Sequence, residues 1–373
     1  MKVILDGMGG DDAPAEIVKG AAEASGVIGE HEVCIVGDES VIEAELSKHA
    51  HDRRRLSIIH APDIIEGDDS PVKAIRRKPD SSMVKGLEAV RDGVGGVFLS
   101  AGNSGALVGG SVMLLGRIPS IDRPAIGSPY PLLEGGAALL IDAGANSECK
   151  PRNLLQFGIM GNVYAQTVFG KEHPRIGLVN MGTEKGKGSA LLKASYDIIG
   201  EASEKLGLKF VGNVEARDVP VGICDVIVCD GFVGNVILKM TEGVGLSIMH
   251  LLREKFTEGF IATIGAALLV GKLGELKKMF DYTEYGGAPV LGVAKPVVKM
   301  HGSSNAKAVV NGIAKSIAFA EGGVIEAITE HMSRVADIAS NETGGTNEAE
   351  MANAAVGDMT HVAKEEDDGA DRV

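Results

Sequence analysis

The sequence predicts an α/β protein with a mostly parallel sheet, plus a helical hairpin. The main observation is a unit that recurs along the 373 residues, in which a short run of Val, Ile and Leu precedes a Gly-rich polar loop and then helix-like sequence. Strands that alternate with helices imply right-handed βαβ crossovers. The composition agrees, because 45% of the residues are hydrophobic but only 4% are aromatic, and small aliphatic side chains suit buried parallel strands.

The strand–loop–helix units follow one another along the chain. The first consists of the strand MKVILD and the loop GMGGDDAP, in which Asp11 or Asp12 can cap a helix that has Pro14 near its first turn. Further units begin at Val33, Val97, Ala138, Arg175 and Asp225. Loops that leave the carboxyl ends of parallel strands gather at one edge of the sheet, where ligands bind. We therefore expect all of these loops to converge on one cleft.

The segment 241–280 differs from these units and predicts two helices joined by an apolar, Gly-containing elbow at 260–270. The elbow is too short to cross a bilayer. Two interpretations remain open: a hairpin buried in a core or dimer interface, or an exposed apolar tip that contacts a membrane surface or an acyl chain. After it, residues 284–309 predict two Gly-rich turns around a strand, and a helix that starts after Ser304.

We assign residues 1–335 to a single α/β domain and residues 340–373 to an acidic, disordered tail. From Ser340 onwards the chain has nine acidic and two basic residues, a composition that is typical of disorder. The net charge of −14 argues against nucleic-acid binding, which needs a basic face. The four Cys have no metal-site spacing, so we expect buried free thiols in a reducing cytosol and no metal.

Two loops come close to known nucleotide-binding motifs but do not match them. GMGGDD carries Asp12 where a dinucleotide fingerprint has its third glycine, and an acidic group would repel a pyrophosphate. GTEKGKGS is one residue short of a P-loop. Its backbone N–H groups and Lys187 still suit an anion, although a solvated basic loop is the alternative.

Other loops carry uncharged donors and one histidine. SAGNSG is a strand-to-helix cradle for an anion, and the lack of a GxSxG elbow argues against Ser104 as a covalent nucleophile. Asn235 in DGFVGN is either an oxyanion or phosphate donor or a helix cap, and Asp142 and Asn146 have the same ambiguity. His301 is either a proton carrier or a structural residue at a helix start.

The stretches that carry a family resemblance are DGMGGDDAP from Asp6, RRKPDSSM from Arg76, SAGNSGAL from Ser100, LLGRIPSIDRPA from Leu114, DAGANSECKPRNLLQF from Asp142, EKGKG from Glu184, GNVEARD from Gly212, DGFVGNVILK from Asp230, GGAPVLG from Gly286 and HGSSNAKA from His301. Together they resemble the phosphate acyltransferase family, the acyl-carrier-protein:phosphate enzymes of bacterial phospholipid synthesis. The chain departs from the family pattern at Asp12, where His is usual, and at Ser104, where Thr is common.

The resemblance implies an acyltransferase that moves a fatty acyl group from acyl carrier protein to phosphate, giving acyl phosphate for a membrane glycerol-3-phosphate acyltransferase. It also implies a Rossmann-like three-layer α/β/α sandwich with a mostly parallel sheet, and a homodimer without metal or organic cofactor. We expect it in the cytoplasm, loosely attached to the inner face of the membrane, with the hairpin at the dimer tip.

The resemblance assigns catalysis to Lys187 and Asn235. The predicted substrate- and phosphate-binding residues are Asp6, Gly9, Gly10, Asn103, Ser104, Gly105, Asp142, Asn146, Asp230, His301, Ser303 and Ser304. The predicted contacts with the carrier protein or the membrane are Arg76, Arg77, Lys78, Phe260, Leu268, Leu269 and Lys272. The basic group 76–78 has a solvated face as its alternative.

Two other functions stay open on the same architecture. One is a phosphotransacetylase that uses short acyl-CoA, and the other is an NAD-dependent dehydrogenase of the isopropylmalate type. The failed dinucleotide fingerprint argues against the second. A scaffold role fits least, because the polar Gly loops would then converge without a ligand.

Overall fold

The computed structural model describes residues 1–259 and 286–343, together with residues 269, 271 and 274. Within these residues eleven strands form one sheet. In chain order they are β1 (Lys2–Asp6), β2 (Glu32–Gly37), β3 (Leu56–His60), β4 (Val97–Ser100), β5 (Ala125–Pro131), β6 (Ala137–Ile141), β7 (Arg175–Asn180), β8 (Lys209–Glu215), β9 (Val226–Val228), β10 (Ala288–Leu291) and β11 (Val297–Lys299). The order across the sheet is β3-β2-β1-β4-β11-β10-β5-β6-β9-β7-β8.

Helices connect most of these strands. They are α1 (Ala15–Ser25), α2 (Glu39–Leu46), α3 (Pro71–Arg77), α4 (Ser82–Arg91), α5 (Ser104–Leu114), α6 (Pro151–Phe169), α7 (Ala190–Leu206), α8 (Gly231–Thr257), α9 (Ala306–Glu321) and α10 (Val324–Thr343). A 3₁₀ helix spans Ala216–Val221. The last helix ends at Thr343, so it includes the first residues of the predicted tail, and residues 344–373 lie outside the described part of the chain.

Alternation along the strands shows that helices cover both faces of the sheet. In β1, Val3 and Leu5 pack in the cluster that also contains buried residues of α1, α6, α9 and α10, whereas Ile4 packs with residues of α3, α4 and α5. Strand β6 alternates in the same way, with Leu139 on the first face and Leu140 on the side that also contains residues of α8. The predicted three-layer α/β/α sandwich is confirmed.

The sheet is mostly parallel, but its strands fall into two sets that run in opposite directions. β1, β2, β3, β4 and β11 are mutually parallel, and β6, β7, β8 and β9 are mutually parallel. Three antiparallel pairings, β11–β10, β10–β5 and β5–β6, join the two sets and reverse the direction between them. The strands of the two sets therefore end at opposite edges. Ala143, after β6, and Asn235, after β9, still line the cleft described below, whereas the loop after β7 does not, so the prediction that all Gly-rich loops converge on one cleft is wrong.

Helix α8 is 27 residues long and starts where β9 ends. Gly234 sets its position, because a Cβ there would lie 1.9 Å from the Asp142 carbonyl oxygen. Beyond the sheet the helix exposes apolar side chains at helical spacing, here called the outer apolar face of α8: Met240, Val244, Ile248 and Leu251. Helix α8 is long and apolar enough to cross a membrane, and α9 and α10 are so if the bent pair is taken as one span. Core helices of soluble proteins can be equally long and apolar.

The predicted hairpin at 241–280 is described only in part. Its first helix is the continuation of α8, which begins at Gly231 without a break near residue 241. Leu269 is helical and 46% exposed. Phe260, Leu268 and Lys272 lie outside the described residues.

Candidate active site

A cleft of about 810 Å³ opens at the edge where β1, β3, β4 and β11 end. Its floor and walls come from the loops after these strands, from β5, and from the stretch of α8 between Asn235 and Glu242. Such a crevice beyond the carboxyl ends of parallel strands is where α/β sheets bind ligands.

The loop after β1 is held by a buried carboxylate. Asp6 is 1% exposed, and its carboxylate accepts hydrogen bonds from the Ser100 hydroxyl at 2.7 Å and from the Met8 N–H at 3.2 Å. Gly10 lines the cleft with φ of +120°, and a Cβ there would lie 3.1 Å from the Gly302 carbonyl oxygen. Gly9 packs behind the wall against Asp6. Asp6 and Gly9 thus shape the cleft from behind, and Gly10 brings backbone to its surface.

The loop after β4 presents the start of α5 to the cleft. The Asn103 side chain caps this helix by accepting the Ala106 N–H at 3.0 Å, and its amide donates to the carbonyls of Glu66, Gly67 and Asp69 at 3.1 to 3.3 Å. The Asn103 side chain was predicted to bind phosphate. In the structure its amide positions the loop 61–69 beside the cleft. Ser104 and Gly105 are exposed to the cleft at the first turn of α5, where backbone N–H groups and the helix dipole favour an anion.

Strand β11 places a lysine in the cleft that the sequence reasoning missed. The Lys299 ammonium donates to the carbonyl oxygens of Ala101 at 3.0 Å and Met300 at 2.5 Å. Burial lowers the pKa of Lys299 to about 8, while Asp6 and Asp11 oppose the shift. The signal in the sequence was a lysine two positions before His301, in a strand-like run where a lysine is normally solvent-facing.

His301 follows at the cleft mouth and is exposed to it. Its Nδ1 accepts the Ser303 N–H at 3.2 Å and lies 2.8 Å from the Ser303 hydroxyl. Partial desolvation lowers the pKa of His301, and Lys239 and Lys299 add to this while Glu242 and Asp11 oppose it. A neutral ring whose Nδ1 accepts a hydrogen bond carries its proton on Nε2, so His301 can donate a hydrogen bond near neutral pH. Ser304 also lines the cleft, and its hydroxyl donates to the His301 carbonyl at 2.7 Å.

Asn235 lies on the α8 wall of the cleft, one turn after the helix start. Within the described residues no protein group hydrogen bonds to its side-chain amide, so the amide is available to a ligand. The cap of α8 is Asp230, which accepts the Val233 N–H at 2.8 Å. The structure thus places Asn235 as a ligand-facing group, while Asp230 has the capping role.

Asp142 and Asn146 lie at the opposite edge of the sheet and do not line the cleft. The Asp142 carboxylate is fully buried and accepts backbone N–H groups of Ile126, Gly144, Ala145 and Asn146 at 2.7 to 3.1 Å. The Asn146 amide donates to Asp142 at 2.8 Å and to the Pro124 carbonyl at 2.7 Å. Because these groups are satisfied internally, they organise the loop after β6, against which α8 packs and whose Ala143 lines the cleft; their predicted roles in binding stay predictions.

Lys187 lies in the loop after β7, which also leaves at the opposite edge. Its ammonium is 3.8 Å from the Glu184 carboxylate, and its side chain is 51% exposed. The Asn180 amide donates to its backbone carbonyl at 3.1 Å. Lys187 is therefore not brought to the described cleft, because β7 runs opposite to β1, β4 and β11; its catalytic role stays a prediction.

The basic group 76–78 divides at the end of α3. Arg76 and Arg77 are exposed. Lys78 donates to the Ile64 carbonyl at 2.8 Å and to the Asp69 carboxylate at 2.5 Å, and this pairing raises its pKa. Lys78 therefore holds the loop 61–69, and the two arginines remain the surface charges that an acidic partner could meet.

Part of the cleft lining is apolar. It comes from Ile64 and Ile65 of the loop 61–69, Ile126 of β5 and Leu238 of α8. The cleft thus combines N–H donors and cations with apolar side chains that suit a hydrocarbon chain. Among the described residues no group of three or more His, Cys, Asp or Glu is arranged to hold a metal ion, and all four Cys are free thiols.

Comparisons with known proteins give one consistent result. A sequence model of a family described as "Fatty acid synthesis protein" matches residues 1–327. The chain is 47% identical over 352 residues to the phosphate acyltransferase of Clostridioides difficile (strain 630), covering 94% of this chain and 100% of that protein. It is 48% identical over 337 residues to the phosphate acyltransferase of Alkaliphilus oremlandii (strain OhILAs), covering 90% and 99%.

Solved structures resemble the fold. A phosphotransacetylase from Streptococcus pyogenes matches with a TM-score of 0.58 at 17% identity, covering 86% of this chain and 94% of that one. The EutD phosphotransacetylase from Staphylococcus aureus matches with a TM-score of 0.52 at 14% identity and the same coverage. At these identities the likeness concerns the architecture of the sheet and its helices.

Proposed function

Because the chain belongs to the phosphate acyltransferase family, we propose that it transfers a fatty acyl group from an acyl-carrier-protein thioester to inorganic phosphate. The observation that carries the proposal is the cleft itself, which is lined both by apolar side chains and by backbone N–H groups, Lys299 and His301. A hydrocarbon chain and a phosphate dianion need these two environments side by side. The products are acyl phosphate and the carrier thiol.

The reaction needs no covalent enzyme intermediate, since phosphate is the nucleophile. The cleft holds the thioester carbonyl and phosphate together, and orientation of this kind contributes up to about 7–11 kcal/mol in ideal cases. The Asn235 amide, which has no internal partner in the described structure, donates to the oxyanion that forms on the carbonyl. His301 lines the same cleft, and partial desolvation there lowers its pKa and favours the neutral ring.

The test of the reaction is phosphate-dependent release of carrier thiol. The full chain is incubated with palmitoyl-carrier protein and phosphate, and acyl phosphate is trapped with hydroxylamine. Hydroxylamine also cleaves the thioester directly, so thiol is measured before it is added and hydroxamate is measured against a sample without phosphate. We expect thiol release only with phosphate, and hydroxamate above that background. Release from acetyl-CoA but not from the carrier would instead assign a phosphotransacetylase activity, which the sequence left open.

Asn235→Ala tests the oxyanion role. Removing one oxyanion donor lowers kcat by about 10²- to 10³-fold, and we expect a loss of this size. The thermal unfolding midpoint should stay within a few degrees, because the amide makes no internal hydrogen bond in the described structure. A variant with wild-type kcat would remove Asn235 from the mechanism.

We propose further that the enzyme is a homodimer on the inner face of the cytoplasmic membrane, where a glycerol-3-phosphate acyltransferase takes up the acyl phosphate. The outer apolar face of α8 and the exposed Leu269 support this. Exposed apolar patches of this kind mark protein or membrane contacts. Arg76 and Arg77 are exposed and supply the charge that an acidic carrier protein would meet.

A further inference from the structure

The cleft contains a lysine whose role the proposed function does not specify. Lys299 ends β11, in register with Ser100 of β4, and lies at the centre of the edge where the cleft opens. Two carbonyl oxygens, of Ala101 and Met300, accept hydrogen bonds from its ammonium and fix its direction. An ammonium has three N–H bonds, so the described structure leaves one of them for a ligand.

The charges around Lys299 do not neutralise it. The groups that face it are Asp6 of β1, Asp11 of the next loop, Lys239 of α8 and His301 of its own loop. Among the described residues no carboxylate lies within 4.0 Å of its ammonium, and the Asp6 carboxylate is already occupied by Ser100 and Met8. A partly buried cation without a carboxylate partner is costly, and an anion bound in the cleft offsets that cost.

The surrounding backbone favours the same ligand. The first turn of α5 presents Ser104 and Gly105 to the same cleft. Their N–H groups lie at the positive end of a helix dipole. Gly10 and Gly302 add close-lying backbone to the same cleft. An ammonium and a helix start that line one cleft suit a tetrahedral oxyanion.

Resting on the proposed function, we propose that Lys299 holds inorganic phosphate in the cleft and presents it to the thioester. A phosphate oxygen forms the bond to the carbonyl carbon, and the carbon–sulfur bond breaks. The proton of monohydrogen phosphate ends on the departing thiolate, so that acyl phosphate and carrier thiol leave in balance. Without a bound anion, burial lowers the pKa of Lys299 to about 8. Bound phosphate would raise this pKa, because a nearby negative charge stabilises the ammonium form.

The kinetic test compares Lys299→Met with Lys295→Met, a matched control at an exposed lysine in the turn before β11. Loss of a charged hydrogen bond corresponds to about 10- to 100-fold weaker binding. We expect the KM for phosphate to rise by that factor in Lys299→Met, with the KM for acyl carrier changed less than about threefold. Lys299→Arg should restore part of the affinity, because it keeps the charge. An unchanged phosphate KM in Lys299→Met would overturn the proposal.

A second measurement uses the wild-type protein and does not depend on turnover. Lysines are labelled with trinitrobenzenesulfonate near pH 8, and Lys299 is followed by mass spectrometry with phosphate or with chloride at equal ionic strength. We expect phosphate to slow labelling of Lys299 and to leave Lys295 unaffected; equal labelling in both salts would overturn the proposal. Protection without any thiol release would refute the proposed reaction and keep the phosphate site, whereas turnover without protection would refute the site alone.

Discussion

At the residue scale, single polar side chains hold the walls of the cleft. Asn103 caps α5 with its carbonyl oxygen and fastens the loop 61–69 with its amide. Lys78 reaches the same loop from α3 through the Ile64 carbonyl and the Asp69 carboxylate. The hydrogen bonds of Asn103 and Lys78 therefore hold the loop that places Ile64 and Ile65 against the cleft.

Two substitutions separate the two functions of Asn103, which are to cap α5 and to hold the loop 61–69. Asn103→Asp keeps a cap acceptor but loses the donor to the loop, whereas Asn103→Ala loses both. Because loss of a cap costs about 1 kcal/mol, we expect Asn103→Ala to be less stable than Asn103→Asp by about that amount in urea unfolding. Limited proteolysis within residues 61–69 should accelerate in both variants. Equal stability of the two would contradict the capping role.

The pKa of Lys299 sets the direction of a pH effect. The ammonium predominates below pH about 8 and the neutral amine above it. Phosphate remains a dianion as pH rises, so its KM should increase as pH passes through about 8 and should approach a tenfold rise per unit beyond it. Lys299→Arg, which stays charged, should remove this dependence. A flat KM between about pH 7 and about pH 9.5 in the wild type would contradict the role of the ammonium.

The residue scale also shows what sequence reasoning could and could not find. The Gly-rich loops marked seven residues that line the cleft, and their roles in binding stay predictions: Gly10, Asn103, Ser104, Gly105, Asn235, His301 and Ser304. Lys299 was missed because a lysine in a short strand is usually solvated, and only the pairing of β11 with β4 turns it into the cleft. Asp142 and Asp230 look like ligands in the sequence, but their carboxylates bind backbone N–H groups of their own loops.

At the scale of the element, α8 runs from the packed interior, past the cleft, to the protein surface. Its first turn packs so closely that Gly234 leaves no room for a side chain beside the Asp142 carbonyl. The following turns line the cleft, and the outer apolar face of α8 extends beyond them. The sequence indicated a helix after Asp230 and another from 241, but nothing in the pattern showed that they are one helix.

Gly234→Ala tests the close contact at the start of α8. We expect the substitution to lower the free energy of unfolding by at least about 2 kcal/mol, because the helix must move away from Asp142. Gly200→Ala is the control, since a Cβ at that position of α7 meets nothing within 4 Å. There the gain in helix propensity should raise stability by up to about 1 kcal/mol. Similar effects of the two substitutions would contradict the packing argument.

The outer apolar face of α8 and Leu269 can be tested against each other. Val244→Asp combined with Leu251→Asp should shift the subunit equilibrium toward monomer in analytical ultracentrifugation. Leu269→Asp should weaken sedimentation with anionic vesicles and leave the subunit equilibrium unchanged. If the α8 variant instead loses vesicle binding and keeps its association state, the assignment of the two surfaces must be exchanged.

At the scale of the whole molecule, the reversal of strand direction divides the loops between two edges. The fold class was predictable, since the alternation of strands and helices is strong and α/β/α layering follows from it. The reversal was not, because β5 contains two prolines, at 129 and 131, and does not look like a strand in the sequence. Without β5 its short connection to β6 could not be identified as an antiparallel hairpin. Because the reversal is not recognisable in the sequence, the sequence predicts that Lys187 and Asp230 lie in the cleft.

Helix α8 has a mechanical consequence for the whole molecule. At 27 residues it is about 40 Å long, and close packing at Gly234 fixes its start against the Asp142 carbonyl. Asn235 on the cleft wall and the outer apolar face belong to this one unbroken helix. We therefore expect that a partner bound to the outer apolar face acts on the same rigid element that lines the cleft, so that surface binding and cleft shape are coupled through one helix.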